Sequence, residues 1–530
     1  MESVYYIALG ALITYSLFRL VRVGHRPKNL PPGPPTLPIF GNIHLMAKDD
    51  PHLQFQKWAK EFGPVYSLML GTKTMIVLSS DKAVKDLLDK KSGNTSGRPD
   101  LYTGQTLMSG DKRMVMMTYG TPWRTIRKLF HNTLHVNKSA EYVPYQELEN
   151  KQLLYDILND PTDLLTHFRR YSSSLVTSVV YGFRWPTFQD KQLQVLFENL
   201  DEYVHLNSTG GAALADFYPI LRYLPTWLLP SKRQATQHYD REIKMYTEMY
   251  RDVKAKIQDS DSKYRPCVLN EVVSMQAKEG YSDEYTSHIP AQLWEAGSDT
   301  TSTQLYAFMQ ALLLYPHVQA KGQAEIDAVI GHDRMPTLDD MTRLPYVRAC
   351  VKECLRWLPT AILGAFPHAT CEEDTYMGYR IPKGAIILLN TWTIHRDPRR
   401  YPDPTAFNPE RFLGDTSSST ESANSIDVSR RDHFAFGAGR RICPGMNVAD
   451  RSMLLGISRI FWSFDVNRKI GADGKESIPV QDDFIPGFVA IPKPFDAVVT
   501  PRSVAKKAII EKEWEVAKSG LDEMGQFAQN

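Results

Sequence analysis

A single cysteine, Cys443, sits in the glycine-rich run Phe436-Gly-Ala-Gly-Arg-Arg-Ile-Cys-Pro-Gly445. Glycines permit a tight turn that points backbone N–H groups at the sulfur. Those donors, the adjacent Arg440 and Arg441, and the N-terminus of a helix predicted over Met446–Phe464 all favour thiolate over thiol. The run therefore reads as a loop that offers one thiolate to a metal centre. The competing reading is an inert buried cysteine behind a glycine turn.

Three other groups of residues have chemistry at a suggestive spacing. Pro290–Leu314 is apolar and nearly uncharged, so as a helix it is buried nearly all round. Within it lies Ala296-Gly-Ser-Asp-Thr-Thr301. Gly297 weakens a helix by roughly 1 kcal/mol relative to alanine and admits another group close to the backbone. A threonine hydroxyl that bonds back to the i−4 carbonyl, or turns away from it, can loosen the helix locally and hold a water. Glu353 and Arg356 share one helix face and can pair. Trp123 and Arg127 place an indole N–H and a guanidinium four apart on another face. Several motifs fail. Gly437-Ala-Gly-Arg-Arg-Ile442 lacks the third glycine and the strand–helix setting of a dinucleotide fingerprint. No P-loop, G-x-S-x-G or H-E-x-x-H occurs.

Taken together, F-G-x-G-x-R-x-C-x-G, the A-G-x-D-T helix, E-x-x-R, Pro409-Glu-Arg-Phe412 and W-x-x-x-R occur in the order in which the cytochrome P-450 haem-thiolate monooxygenases carry them. The chain resembles that family from its proline hinge to about Arg502. The resemblance implies haem b, with Cys443 as axial thiolate pushing electron density toward bound dioxygen. It implies that Phe436 lies in the haem loop, and that Trp123, Arg127, Arg441 and His368 face the haem propionates. Thr300 matches the hydroxyl beside the oxygen site and Asp299 the acid that relays protons. Arg411 matches a second guanidinium on Glu353 in a buried scaffold behind the cysteine loop. Because the chain has no flavin or NADPH site, electrons come from an NADPH-cytochrome reductase. Lys128 and Arg440 belong to a basic face that suits an acidic reductase. The layout is similar to that of microsomal enzymes of filamentous fungi, many of which act in secondary metabolism. A hydrophobic small molecule is the expected substrate. The walls come from Gln105–Tyr119, Val204–Phe217, Ile289–Thr300, Pro359–Phe366 and Phe484–Val489. The alternative is a haem-thiolate isomerase, dehydratase or haem-based binder without monooxygenase turnover. The Asp299–Thr300 pair favours dioxygen chemistry.

The elements that must position these residues are legible more coarsely. The 530 residues carry a net charge of +2, which gives no reason to expect nucleic acid. Five cysteines with no C-x-x-C pair exclude a disulfide framework or zinc site, and Cys350 and Cys354 read as packing residues. Val4–Phe18, extended to Val23 by snorkelling arginines, approaches the roughly 20 residues of a membrane span. Arg19, Arg22, His25, Arg26 and Lys28 follow it. The positive-inside rule then predicts a single-pass anchor in the endoplasmic reticulum membrane with the body in the cytosol. The sequons at Asn94, Asn137 and Asn207 would face the same side. The expected division is anchor 1–23, basic and proline-rich hinge 24–36, catalytic domain 37–502 and C-terminal extension 503–530. The prolines of 30–35 predict a stiff spacer. Helices are expected at His52–Glu61, within Met108–Leu134, Tyr142–Leu158 and Asp160–Tyr181, and at Gln234–Gln258. Val65–Leu70 and Thr74–Leu78 predict a hairpin, with further strands at Ala385–Leu389 and Phe488–Val499. Asp259–Tyr264 and Thr416–Ser429 read as loops, and Ser503–Asn530 as a loosely attached amphipathic helix. The fold class is mainly α with a small β portion.

Overall fold

The computed structural model describes residues 2–528 except 48, 209, 263 and 486, so the outer ends of the expected 1–23 and 503–530 segments lie outside the described residues. Nine helices carry the argument: α1 Glu2–Arg22, α2 Thr121–Leu134, α3 Val143–Asn159, α4 Leu164–Val180, α5 Pro230–Gln258, α6 Asp283–Leu314, α7 Pro345–Trp357, α8 Met446–Ser463 and α9 Val504–Lys518. Four strands form the main sheet: β1 Val65–Leu70, β2 Lys73–Leu78, β3 His368–Ala369 and β4 Ile386–Leu389. Their order is β1-β2-β4-β3. The β1–β2 hairpin is antiparallel, β2 runs parallel to β4 with Met75 opposite Ile386, and β3 returns antiparallel.

The core is the long helix α6 packed between α4, α5 and α8. Its side chains from Leu305 to Leu313 are almost all inaccessible, as an apolar run without a polar face requires. Gly297 has a concrete reason. A Cβ there would sit 2.5 Å from Cγ2 of Val176 on α4. The group that the glycine admits is thus a neighbouring helix. Ser172 of α4 donates to the Ser298 carbonyl across the same contact.

α1 keeps its apolar side chains exposed, and Val4–Arg22 is long and apolar enough to cross a membrane. The proline run after it, expected as a stiff spacer, is bonded to the body. Prolines have no N–H and leave carbonyls to be answered. Arg26 donates to the carbonyls of Gly33 and Pro34, both at 2.8 Å, and to Ser67 of β1. The Asn42 amide donates to Pro34 and Pro35. The Ser67 N–H donates to Pro32. These bonds lay residues 30–35 along the sheet edge and bury Leu30.

Other boundaries also differ from expectation. Only the last part of Met108–Leu134 is α-helix, because Gly110 and Asp111 take left-handed φ and Gly120-Thr-Pro122 restarts the chain. Thr416–Ser429 contains a short helix, Ser419–Ala423, opened by a Ser418/Glu421 capping box. Phe488–Val499 is not one strand. Pairing is confined to Ile491–Pro492 and to Val498–Pro501, since the prolines lack ladder donors.

The C-terminal segment is not loose. Ile510 and Trp514 of α9 are buried, with the Trp514 ring centroid 6.0 Å from that of Tyr155 on α3. Arg502 and Lys506 both pair with Asp327, and Glu513 pairs with Lys151. The chain then turns back. Gln526 exchanges hydrogen bonds with the backbone of Arg184, whose buried guanidinium donates to the Gly525 carbonyl at 2.8 Å. Arg184 also joins Arg170 on the buried Glu149.

Truncating Trp514 to alanine should cost about 3–5 kcal/mol, the range for deleting a buried indole. A lowered urea midpoint checks this; an unchanged midpoint would mean that the strap is not part of the folded body.

Candidate active site

Apart from one 3-10 turn at Gly439–Arg441, the segment Arg431–Gly445 has no helix or strand ladder, so its buried amides need individual partners. The Asp432 N–H donates to Ser422 Oγ at 2.9 Å, Phe434 N–H to His395 Nε2 at 2.8 Å and Gly439 N–H to Asp89 Oδ1 at 2.7 Å. The Cys443 N–H closes the loop on the Phe436 carbonyl at 2.9 Å. Arg431 caps the Gly437 carbonyl, and Arg127 donates to the Ile442 carbonyl at 2.6 Å. Gly437 and Gly439 both lie at positive φ. A Cβ on Gly439 would stand 1.9 Å from the Leu88 carbonyl oxygen, so no other residue fits.

Behind this loop is the expected scaffold. Glu353 takes both Nε and Nη2 of Arg356 at 2.7 Å, Nε of Arg411 at 3.2 Å and the Asn408 N–H at 2.6 Å. Arg356 spends its remaining donors on the carbonyls of His395, Pro404 and Ala406. Cys350 and Cys354 are fully buried packing residues of α7.

Cys443 stands just before the N-terminus of α8. Burial pushes its thiol up, while the N–H groups of Gly445 and Met446 and the charge of Arg127 oppose that shift. The expectation for Arg440 and Arg441 is corrected here. Arg440 turns outward to the Tyr119 hydroxyl. Arg441 turns away to the carbonyls of Ser96 at 2.7 Å and Met117 at 2.6 Å. The cation that faces the sulfur is the helical Arg127.

Arg441 instead belongs to a cluster of cations. Its guanidinium lies 4.3 Å from the ring centroid of Trp123. Burial and the repulsion of Arg127 hold it down at about 9. Arg98 joins it, bonded to the carbonyls of Val115, Phe366 and Pro367 and held well below its ordinary value by burial and by Arg441. Among the described residues, none of Arg98, Arg127 and Arg441 forms an ion pair with a carboxylate. Among the described residues, the buried Trp123 Nε1–H has no hydrogen-bond partner. His368 is buried beside Arg98 and Arg441, which with burial lower it to about 3, and its Nδ1 lies 2.9 Å from the Thr95 carbonyl. It is a neutral donor. Cationic donors with no anion of their own, next to an orphaned indole N–H, suit a ligand bearing carboxylates. Sequence reasoning missed Arg98. Its only signal is the Gly97-Arg-Pro99 run, and nothing in the linear chain says that this run pairs with Ala369 and brings Arg98 to the Val115 carbonyl.

Asp299 and Thr300 lie on α6 beside Ala296, whose methyl is exposed within an otherwise buried helix. The Thr300 hydroxyl donates to the Ala296 carbonyl at 2.8 Å. Asp299 accepts from Arg169 of α4 at 3.1 Å. Burial raises the Asp299 carboxyl, Arg169 opposes this and Asp201 adds to it. Among the expected wall segments, Phe366 stacks on Phe488 with centroids 4.4 Å apart, and Tyr203, just before the expected Val204–Phe217, lies 5.6 Å from Phe488. Val115 packs with them. Thr209 and Pro486, which fall in two of those segments, lie outside the described residues.

A family model described as Cytochrome P450 matches residues 31–498. The chain is 48% identical over 516 residues to cytochrome P450 monooxygenase virE of Hypocrea virens, covering 97% of this chain and 93% of that protein. It is 44% identical over 509 residues to cytochrome P450 monooxygenase fogE of Aspergillus ruber, covering 96% and 93%. With cytochrome P450 monooxygenase patI of Penicillium expansum the identity is 37% over 509 residues, covering 96% and 94%.

Gly439→Ala should be expressed without bound haem, because the Leu88 carbonyl cannot move aside. The ratio of Soret to protein absorbance measures this, and a full haem content would show the loop to be tolerant.

Proposed function

Because the chain belongs to the cytochrome P450 family, we propose that it is a membrane-anchored monooxygenase that inserts one atom of O2 into a hydrophobic small molecule, an intermediate of fungal secondary metabolism, with electrons from an NADPH-dependent reductase. The observation that carries the reading is the juxtaposition of one half-buried, amide-solvated thiol with a carboxylate-deficient set of guanidiniums. Haem b, when bound, supplies dioxygen binding and activation. The residues fit it: Cys443 would ligate its iron, and Arg98, Arg127, Arg441 and the Trp123 N–H would hold its two carboxylates, with His368 as a neutral neighbour.

The chain's own contribution is positioning and proton supply. The N–H groups of Gly445 and Met446 favour charge on the sulfur. Thr300, parked on the Ala296 carbonyl, keeps its oxygen lone pairs free to accept from a water on the Ala296 side of α6. Burial keeps Asp299 closer to protonation than a surface acid, while Arg169 limits that shift. Such a carboxyl can take a proton from the α4 side and pass it along α6. Val115, Phe366 and Phe488 supply apolar walls that orient a hydrophobic substrate and exclude water.

A location on the endoplasmic reticulum membrane, with the body on the cytosolic side, is supported by α1 and the basic residues that end it. It is supported again by Leu37, Phe40, Ile220, Tyr223 and Trp227, which are all exposed. Tyr218 donates to the Ile39 carbonyl and so joins the two segments that carry these side chains. Exposed Arg124, Lys128 and Arg440 give the reductase a basic face.

Cys443→His should abolish the reduced carbon-monoxide band of a thiolate-ligated haem; a band left at the wild-type position would refute the ligand assignment. Thr300→Ala should leave that band intact yet uncouple the cycle, so that with reductase and a product-forming substrate NADPH is consumed mostly to peroxide. Unchanged coupling would favour an isomerase-type activity instead. An untargeted metabolite comparison between strains with and without the gene identifies the substrate.

A further inference from the structure

His395 ends a short helix, Thr391–His395, far in sequence from the cysteine loop, and neither ligates nor lines the oxygen side. It is 1% exposed, and both ring nitrogens are engaged. Nε2 accepts the Phe434 N–H at 2.8 Å, and Nδ1 lies 2.9 Å from the Arg356 carbonyl oxygen. An amide N–H can donate only to an unprotonated nitrogen. The proton therefore sits on Nδ1 and is donated to Arg356, which fixes both tautomer and ring direction. The contact is reciprocal, since Arg356 Nη1 donates to the His395 carbonyl at 3.0 Å. Burial, with His433, Arg356 and Arg400 around it, keeps the ring neutral across the physiological range.

The ring thus links two backbones. One belongs to the arginine held by Glu353. The other is the first turn of the loop, where the Phe434 carbonyl accepts the Gly437 N–H at 3.0 Å and the Phe436 carbonyl accepts the Cys443 N–H at 2.9 Å. We propose that His395 is a positioning residue for the thiolate, transmitting the Glu353–Arg356 anchor through Phe434 to the depth and direction of Cys443. The proposal rests on Cys443 being the haem ligand. Losing the ring leaves the Phe434 N–H buried without an acceptor, which a loop lacking its own ladder can relieve only by moving.

The test uses the full-length holoenzyme, dithionite and carbon monoxide, and needs no substrate. His395→Leu should show a several-fold faster conversion of the thiolate band to the thiolate-free band, and a shifted haem reduction potential. His395→Gln, whose amide oxygen can accept from Phe434 while its NH2 donates to Arg356, should restore both. His395→Asn reaches the Arg356 side but not Phe434, and should behave like the leucine variant. Trp514→Ala, destabilised at a remote site, should leave band and potential unmoved. Should the leucine variant not accumulate, the glutamine–asparagine difference decides. Equal, wild-type-like spectra and potentials for Gln and Asn would overturn the proposal, as would a Gln variant no better than Asn. Loss of the thiolate band in Cys443→His together with unchanged His395 variants would leave the ligand assignment standing and refute this one alone. Persistence of that band in Cys443→His would refute both.

Discussion

A buried chain segment without regular hydrogen bonding must have every amide answered from somewhere else. That requirement governs residues 431–445. Some of the amides close within the loop, as Cys443 does on Phe436, and others reach Asp89, His395 and Ser422 outside it. His395 is held in turn by Arg356, and Arg356 by Glu353. Within this scaffold two guanidiniums share one carboxylate, and their surplus donors are spent on carbonyls. Breaking one member would leave its partners buried and unpaired, which is why such networks tolerate little change.

The opposite arrangement holds on the other side of Cys443. Arg98, Arg127 and Arg441 are cations without carboxylate partners among the described residues, and burial holds all three below their ordinary values. A protein that buries charge in this way stabilises whatever anion it receives more than it stabilises itself. The scaffold behind the loop is saturated, and the pocket in front of it is not.

What the sequence made legible follows this division. Cys443, Glu353, Arg356, Arg411, Trp123, Arg127, Asp299 and Thr300 stand in short runs whose spacing already places them on a face or in a turn. The structure brings each to the expected element. The hairpin and the long helix α6 were legible for the same reason, because their periodicity is local. What was not legible depends on contacts between distant segments. Arg98 joins the cluster only through the carbonyls of Val115, Phe366 and Pro367, two segments far apart in the chain. Arg441 seemed to act on the adjacent sulfur, but backbone direction sends it toward Ser96. Arg26 looked like one more basic residue after an apolar helix, yet it is what lays the proline run against β1. The C-terminal helix carries only a weak apolar stripe, and its tight docking comes from the burial of Ile510 and Trp514 against the body together with ion pairs to Asp327 and Lys151.

The clasp between Arg184 and Gln526 spans 342 positions. During synthesis Arg184 emerges long before its partner exists. Glu149 and Arg170 are available early, so the ionic core of this region can assemble with one cation only partly satisfied. Closure awaits the downstream strap. The contact is among the most non-local in the chain, and non-local contacts form slowly. The strap is therefore the last contact this region can make, and a nascent chain interrupted before it would expose backbone and guanidinium donors of Arg184 that Gln526 and the Gly525 carbonyl otherwise cover.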